Sequence, residues 1–194
     1  MMENLITKIK KLDEQLFVLL HELGNPQYDN IWIFITNKYY WIPLYIIIFI
    51  LIIKKKKSFN FNSIIYIMIF FSLLITITDQ TSNAFKNIFE RLRPCANEDV
   101  IRTINNISCN GYSFISGHAT TSFGIAAISS LIIKNYKFSI IIFLWAFLFS
   151  YSRIYLGLHY PIDILFGGII GYLIGCYYLK LIRYIIRNMK KDIF

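Results

Sequence analysis

Five uncharged apolar stretches occupy much of the sequence, and they decide what kind of structure the chain can form. Most are slightly shorter than the roughly 20 residues that cross the core of a bilayer as a helix, but flanking lysines and aromatic residues can supply the missing turn. The stretches are Tyr39–Ile53, Ser58–Thr78, Ala119–Ile133, Phe138–Ser152 and Ile164–Leu179. A chain of 194 residues leaves no soluble remainder to bury five such helices. The sequence therefore predicts an all-α integral membrane helical bundle with five to six transmembrane helices.

The composition agrees with a small membrane protein. The mean hydropathy is +0.52, and 56% of the residues are hydrophobic against 16% charged, which is unusual for a soluble domain. The net charge of +9 would suit nucleic acid, but the basic residues stand at the ends of apolar stretches rather than along one face. We therefore expect residues 1–194 to form a single domain in a lipid bilayer, with no nucleic acid and no obligate protein partner.

Clusters of lysine and arginine predict which way the bundle faces. Lys54–Lys57 follow the first stretch, two lysines separate the third from the fourth, and a basic segment from Lys180 to Lys191 follows the fifth. If the helices alternate in direction, these clusters share one side, which the positive-inside rule assigns to the cytoplasm. The opposite side then carries two connections, residues 79–118 and 153–163.

Residues 1–37 differ from the rest because they combine apolar spacing with charge. Leucines recur at helical intervals among acidic residues, which predicts an amphipathic helix at the membrane interface. The leucines are Leu12, Leu16, Leu19, Leu20 and Leu23, and the acidic residues are Asp13, Glu14 and Glu22. The segment GNPQYDN then breaks this helix before IWIFIT. The N-terminal segment is therefore predicted to be interfacial, with a sixth span or a re-entrant pair as alternatives.

The segment KNIFERLRP contains the first unusual group of charges. Lys86 and Arg93 stand seven positions apart, which is two helical turns, so we expect both cations to project from one side of a helix that ends near Pro94. Glu90 lies between them on that face. For this segment alone, a salt-bridge ladder from Lys86 through Glu90 to Arg93 is an equally good interpretation.

The segment SFISGHAT places a serine, a glycine and a histidine immediately before an apolar helix. Ser116 and Gly117 would expose backbone N–H groups at the positive end of the helix dipole, which together bind anions. His118 can donate or accept a proton near neutral pH. An ordinary helix cap with an interfacial histidine explains the segment at least as well when it is considered alone.

The segment YSRIYLGLHYPID separates the last two apolar stretches. Arg153 ends one of them, and Pro161 suits the first turn of the next helix, which places Asp163 within that turn. His159 precedes this helix, close enough in sequence for Asp163 to accept a hydrogen bond from its ring. Such a carboxylate fixes the tautomer and makes the other ring nitrogen a better nucleophile. Ionisable groups at the end of a membrane helix are costly and usually functional.

Together, the three segments indicate a phosphate site. Two of the three histidines of the chain lie in them, and the alternation of helices puts all three on one membrane face. Cations and backbone N–H groups would hold the oxygens of a phosphate while two histidines divide the chemistry. No cluster has the spacing of Mg²⁺ or Zn²⁺ ligands, so we expect no metal and no other cofactor.

These residues resemble the motifs of the type 2 phosphatidic acid phosphatase (PAP2) superfamily. Lys86 to Pro94 resembles its K-x6-R-P motif, Ser116-Gly117-His118 its P-S-G-H motif, and Ser152-Arg153 through His159 to Asp163 its S-R-x5-H-x3-D motif. The order and spacing match, and the resemblance covers roughly residues 58–185, which we expect to be the catalytic core.

The resemblance implies a role for each matching residue. His159 would attack phosphorus and form a phosphohistidine, and Asp163 would orient it. His118 would protonate the leaving oxygen and later activate water. The phosphate oxygens would be held by Lys86, Arg93, Arg153, Ser116 and the backbone N–H of Gly117. Ile115 stands where the family has proline, and we expect from it a modest change of geometry without loss of activity.

Two of the three cysteines lie in the outer connection. Cys95 and Cys109 can pair if that side of the membrane is oxidising. The loop of about 15 residues would then contribute roughly 3 kcal/mol on the chain-entropy estimate. We predict this disulfide, with two free thiols as the alternative. Cys176, inside the fifth stretch, is interpreted as helix packing.

The leading hypothesis is a metal-independent membrane phosphatase that acts on a lipid phosphate or diphosphate. Substrates left open are a polyprenyl diphosphate such as undecaprenyl diphosphate, phosphatidate or phosphatidylglycerophosphate, and the phosphates of lipid A. A vanadate-dependent haloperoxidase shares the motifs, but those proteins are soluble. A lipid-phosphate binder or transporter would need the cations without both His118 and His159, so the two histidines favour an enzyme. We expect a bacterial inner membrane, with the site facing the periplasm or exterior.

Overall fold

The computed structural model describes residues 2–55, 61–96, 102, 104 and 107–188, and within them all regular secondary structure is helical. The α-helices are α1 (Met2–Glu22), α2 (Asp29–Thr36), α3 (Ile42–Lys54), α4 (Phe61–Phe89), α5 (Gly117–Ile133), α6 (Tyr136–Tyr155) and α7 (Pro161–Asn188). Each of the five apolar stretches corresponds to one of the helices α3 to α7. The predicted all-α membrane bundle is therefore confirmed.

Three of these helices are long and apolar enough to cross a membrane alone. They are α4, α6 and α7, with apolar segments Ile64–Phe89, Tyr136–Tyr155 and Pro161–Ile185. The segments Pro26–Thr36 and Lys38–Lys54 qualify only as a pair, and a bend of 62° separates them. The described residues thus contain three helices able to span, or four if the bent pair is one broken span, against the five to six predicted. α5 is apolar but has only 17 residues.

The centre of the bundle is α5, which packs against α3, α4, α6 and α7. Its partner α7 runs parallel to it and carries a glycine every fourth residue, at Gly167, Gly171 and Gly175. A Cβ at Gly167 would lie 2.8 Å from Ser116 O, one at Gly175 would lie 2.6 Å from Gly124 O, and one at Gly171 would collide with the Thr120 carbonyl. This glycine stripe lets the two backbones touch. It also brings the N-termini of α5 and α7 together on one face.

The amphipathic N-terminal helix predicted from the sequence is α1, but most of its leucines face away from the bundle. Its exposed apolar residues are Leu5, Ile6, Ile9, Leu12, Leu16 and Leu19, and Leu23, just after the helix, is exposed as well. The residues that α1 buries against α6 and α7 are Asp13, Phe17 and His21. The acidic Asp13, which the sequence pattern assigned to the polar face, is therefore an interior residue.

The connection between α4 and α5 is tied to the bundle at several points. A disulfide joins Cys95 to Cys109, whose Cα atoms are 5.8 Å apart. The Cys95 N–H donates to Gly157 O at 2.9 Å. Arg102, inside the disulfide loop, donates from Nη1 to both carboxylate oxygens of Asp29 at 2.7 Å. This connection is therefore held close to the ends of α2 and α6.

Candidate active site

The residues singled out in the sequence meet where α4 and α6 end and α5 and α7 begin. They are Lys86, Arg93, Ser116, Gly117, His118, Arg153, His159 and Asp163. Lys86 lies within electrostatic range of Arg93, Arg153 and Asp163, and His118 lies within electrostatic range of His159. Three segments that are distant in the chain therefore form one cluster.

The local structure of the first segment differs from the prediction. α4 ends at Phe89 and Glu90 has a left-handed φ of 43°, so Arg93 follows in a non-helical segment and not two turns along the same helix. No glycine or proline marks this helix end. Glu90 is exposed, and the ion pairs of the described residues include none from Glu90 to Lys86 or Arg93. The salt-bridge ladder is therefore a wrong interpretation of this segment.

The start of α5 lies directly against the start of α7. Ser116 is the extended residue before α5, and its N–H donates to the backbone O of Asp163 at 3.0 Å. A Cβ on Gly117 would lie 3.1 Å from Ser82 Oγ and 3.9 Å from Lys86 Nζ, so glycine allows this helix end to approach the lysine. Ile115, in the place of the family proline, is fully buried.

His118 and Arg153 share a partner at the end of α2. The Nε2–H of His118 donates to Thr36 O at 3.1 Å, and Nη1 of Arg153 donates to Thr36 Oγ1 at 2.7 Å. The His118 ring stacks on Phe149 with the centroids 4.7 Å apart. These contacts orient the imidazole and leave its Nδ1 for a ligand. No feature of the sequence marked Thr36 as part of this site.

His159 and Asp163 are both buried at the entry to α7. The His159 Nδ1 is 3.6 Å from Asp163 Oδ2, which is longer than a hydrogen bond, so the predicted direct bond is not formed in this structure. Asp163 Oδ2 accepts from the Tyr160 N–H at 2.8 Å instead. Burial lowers the pKa of His159 to about 4, and the neighbouring Asp163 acts in the opposite direction. The imidazole is therefore neutral near pH 7, which is the form required of a nucleophile.

Arg91 is a residue of the site that the sequence analysis did not select. Its Nη1 donates to Asp163 Oδ1 at 2.8 Å, and its Nη2 donates to Asp13 Oδ2 at 2.6 Å. The other oxygen of Asp13 accepts from the Ile162 N–H at 2.9 Å. Neither Arg91 nor Asp13 falls on a fixed position of the motifs. Only the docking of α1 reveals that Asp13 belongs to the site.

Three residues predicted to bind phosphate have buried polar atoms without a hydrogen-bond partner among the described residues. These atoms are Arg93 Nε, Arg153 Nε and Ser116 Oγ. An unsatisfied buried polar group costs about 1–3 kcal/mol, so such atoms are suited to a ligand rich in oxygen. The described residues include no group of three or more His, Cys, Asp or Glu side chains that could hold a metal ion.

Two cavities adjoin the cluster. A cleft of about 760 Å³ lies between α1 and residues 89–96, and Arg91 and Arg93 line it. An apolar groove of about 540 Å³ lies among α5, α6 and α7 and begins at Pro161, beside the site. Five aromatic residues line the groove, namely Phe123, Phe143, Phe147, Tyr151 and Tyr172. The cluster is thus bordered by one cavity that charged side chains partly line and by one apolar cavity.

The arrangement defines a class before any comparison is made: a helical membrane protein with a buried histidine–aspartate pair among three cations. Comparison then identifies the family. Residues 60–187 match the PAP2 superfamily, and the chain belongs to that superfamily, in its branch of membrane lipid phosphatases. As predicted from the motifs, it is a phosphatase.

Named relatives and solved structures are consistent with this branch. A lipid A 4'-phosphatase of Bacteroides thetaiotaomicron is 34% identical over 172 residues, which cover 86% of this chain and 75% of that protein. A lipid A 4'-phosphatase of Porphyromonas gingivalis is 30% identical over 180 residues, covering 91% and 75%. The crystal structure of Aquifex aeolicus LpxE is similar with a TM-score of 0.64 and 27% identity, covering 86% of this chain and 93% of that one.

A second solved structure agrees in fold alone. The transmembrane PAP2 type phosphatidylglycerolphosphate phosphatase of Bacillus subtilis has a TM-score of 0.70 at 20% identity, covering 92% of this chain and 88% of that one. Its similarity supports the helical membrane architecture and carries no argument about substrate.

Proposed function

We propose that this protein removes the 4'-phosphate of lipid A, with His159 as the nucleophile. The observation that carries the proposal is the buried, neutral imidazole of His159 beside Asp163 and among three cations. The choice of lipid A over other lipid phosphates rests on the two relatives that are named for that activity.

In the first step, Nε2 of His159 attacks phosphorus because Nδ1 faces Asp163. The bond from phosphorus to the sugar oxygen breaks, and that oxygen takes its electron pair and a proton from Nδ1 of His118, which enters this step as the imidazolium because its Nε2–H remains bonded to Thr36 O. The imidazole becomes a positively charged phosphohistidine, which the Asp163 carboxylate stabilises. Lys86, Arg93 and Arg153 would neutralise the charge on the non-bridging oxygens.

In the second step, water attacks the phosphohistidine and gives its proton to His118. The bond from phosphorus to Nε2 breaks, its electron pair returns to His159, and inorganic phosphate leaves. Protons and charges balance over the two steps without a cofactor. The proposed mechanism therefore needs the side chains of this chain and water.

The cavities suggest how the lipid would lie. The apolar groove among α5, α6 and α7 begins beside the first turn of α7, so acyl chains can follow the helix faces while the phosphate reaches the cations. Lys54, Lys134 and Arg183 lie at the helix ends opposite the site, which favours a periplasmic active site in the inner membrane. Four further lysines of the basic clusters lie outside the described residues, namely Lys56, Lys57, Lys190 and Lys191.

The test is phosphate release by the detergent-purified full chain in the presence of EDTA. The panel contains lipid A, phosphatidate, phosphatidylglycerophosphate and undecaprenyl diphosphate, each repeated with His159→Ala. We expect release from lipid A that the variant loses, and mass spectrometry should locate the missing phosphate at the 4' position. Release from another lipid alone would overturn the substrate, and near-normal turnover by His159→Ala would overturn the nucleophile. Binding without release by the wild type would favour a lipid-phosphate binder.

A further inference from the structure

We propose that Arg91, held by Asp13 of α1, is a positioning residue for Asp163, so that the N-terminal helix is part of the catalytic assembly. The inference rests on the proposed roles of His159 and Asp163. It gives a part in the reaction to Arg91 and Asp13, which lie outside the fixed motif positions. It also gives a part to α1, which its sequence pattern predicts to lie at the membrane surface.

Several contacts fix Arg91 in place. Its two terminal nitrogens bind Asp163 and Asp13 at 2.8 and 2.6 Å. Its guanidinium carbon lies 3.8 Å from the centroid of the Tyr160 ring, which is cation–π contact. Its backbone O accepts from the Ser113 N–H at 2.8 Å. An arginine held on all these sides cannot swing toward a substrate without leaving two carboxylates unpaired.

Arg91 also balances the charge of two carboxylates. Asp163 and Asp13 are both buried, and Arg91 is the cation that bonds to both of them. Burial raises the pKa of Asp13, while its bonds to Ile162 and Arg91 act in the opposite direction. Removing the cation from a buried ion pair is strongly unfavourable because an uncompensated charge remains. Arg91 therefore supplies the counter-charge to the Asp163 carboxylate and fixes it in the orientation that the His159 imidazolium needs.

Arg91 differs in its contacts from the arginines proposed to bind phosphate. Arg93 and Arg153 each have a buried Nε without an acceptor among the described residues, whereas Nη1 and Nη2 of Arg91 are bonded to carboxylates. The contacts of Arg91 thus point to protein anions, and those of the other two leave donors for a ligand. Arg91 acts on the reaction through Asp163.

The role of α1 follows from Asp13. One oxygen of Asp13 holds Arg91 and the other accepts from the Ile162 N–H in the first turn of α7, next to Asp163. A carboxylate at this position satisfies a free N–H and complements the helix dipole. The same helix presents most of its leucines outward. Through Asp13, α1 therefore contacts both Arg91, which binds Asp163, and α7, which contains Asp163.

The experiment compares Arg91→Met and Arg91→Lys with a matched control, Arg102→Met. Arg102 also pairs with an aspartate and lies over a tyrosine ring, at 5.3 Å from Tyr155, but it is outside the site. With lipid A as substrate we expect Arg91→Met to lower kcat about 100-fold with little change in KM, because misplacing a catalytic group costs rates of that order. Lysine keeps the charge but cannot bridge two carboxylates, so Arg91→Lys should lie between. Arg102→Met should retain wild-type kcat.

The second readout is the titration of His159 by NMR on protein with ¹⁵N-labelled histidine, which needs no substrate. The charged groups around the His159–Asp163 pair are Asp13 on α1, Lys86 on α4, Arg91 and Arg93 after α4, His118 on α5 and Arg153 on α6, with Tyr160 beside it. Arg91→Met frees Asp163 from the position in which it stabilises the imidazolium, so the titration should move down by about one pH unit. Asp13→Asn removes a negative charge and should not move it upward.

The outcomes separate the inference from the proposed function. Absence of phosphate release by the wild type would reject the lipid A activity, and the NMR titration would still decide the role of Arg91. A His159 titration that is the same in Arg91→Met and the wild type would overturn the inference. So would a rise of KM alone, which would make Arg91 a phosphate ligand. If Arg91→Met does not fold, full activity and an unchanged titration in both Arg91→Lys and Asp13→Asn would also overturn it.

Discussion

Two arginines attach the N-terminal part of the chain to the bundle, and their surroundings differ in one respect. Arg91 pairs with Asp13 of α1 and lies over Tyr160, and Arg102 pairs with Asp29 of α2 and lies over Tyr155. The arginine side chains are similarly accessible, at 20% and 25%. Arg91 also binds a second carboxylate, Asp163, which is completely buried, whereas Nη1 of Arg102 gives both its bonds to Asp29.

This difference shows how one contact can separate a structural ion pair from a functional one. An exposed or half-exposed ion pair contributes little to stability because water solvates both charges. In the Arg102 pair the carboxylate as well as the arginine is partly accessible, at 19% and 25%, and the pair serves to hold a loop. The Arg91 pair reaches into a buried site, where a lost partner leaves a charge without solvent. An arginine–aspartate pair therefore has different consequences in the two clusters. The Arg91 cluster consists of Arg91, Asp13, Asp163 and Tyr160, and the Arg102 cluster consists of Arg102, Asp29 and Tyr155.

The largest expected difference is between two aspartate-to-asparagine substitutions, one beside Arg91 and one beside Arg102. Asp163→Asn should lower kcat about 1,000-fold or more, because an amide cannot stabilise the imidazolium charge that the proposed mechanism forms on His159. Asp29→Asn makes the same chemical change beside Arg102 and should leave kcat unchanged. Phosphate release under saturating lipid A measures both. Equal losses in the two variants would remove the distinction between the clusters.

The disulfide provides the next test, because Arg102 lies inside the Cys95–Cys109 loop and Arg91 lies outside it. Replacing both cysteines by serine should reduce the free energy of unfolding by roughly 3 kcal/mol on the chain-entropy estimate. It should release the Arg102 contact and spare the Arg91 contact, so we expect lower thermal stability with kcat retained. Alkylation of both thiols in the unreduced wild type would contradict the disulfide itself.

The pH dependence of stability should originate at His159, which lies beside Asp163 of the Arg91 cluster. The pKa of His159 is lowered from 6.5 to about 4, so between these values the unfolded chain binds the proton that the folded chain excludes. Stability contributed by the neutral imidazole is therefore present above pH 6.5 and is lost as the pH falls toward 4. Thermal unfolding from pH 7 to 4 should show this decline in the wild type and in Arg102→Met. His159→Gln should flatten it, and an unchanged decline there would assign it to another group.

The smallest expected effect distinguishes the two tyrosines. Tyr155 Oη lies 2.8 Å from Asp29 Oδ1 and 2.7 Å from Asn25 O, whereas the described hydrogen bonds include none from Tyr160 Oη. Tyr155→Phe should therefore destabilise the protein by about 1 kcal/mol. Tyr160→Phe keeps the ring under Arg91 and should be close to neutral. Denaturation of the two variants in one detergent measures the difference, and a larger loss in Tyr160→Phe would reverse the comparison.

Much of the architecture could be predicted because uncharged apolar stretches allow few structures in a bilayer. The stretches located α3 to α7, and the alternation of helices placed the three polar segments on one face. The end of α4 at Phe89 was not predictable from local signals, since Glu90 adopts a positive φ without being glycine or asparagine. The number of spans also depends on the bend after Thr36, which the composition did not reveal.

The site could be predicted only where residues occupy motif positions or interrupt apolar stretches. His118, His159 and Arg153 did so. Asp13 did not, because an amphipathic pattern shows that a helix has two faces and does not show which face the bundle covers. In this protein most of the leucines are exposed, and the acidic Asp13 is buried. Arg91 and Thr36 act through tertiary contacts between segments that are distant in the chain, and a single sequence carries no signal for such contacts.

The glycine stripe of α7 has a consequence for how the protein responds to its membrane. The backbones of α5 and α7 touch along three successive turns, so the helix ends that carry His118 and Asp163 form one rigid unit. When the bilayer becomes thicker or thinner, helices adapt chiefly by tilting. We expect this pair to tilt together, which would change the height of the site relative to the lipid head groups while the spacing of the two side chains stays constant. Membrane thickness would then control access of the lipid more than the chemical step.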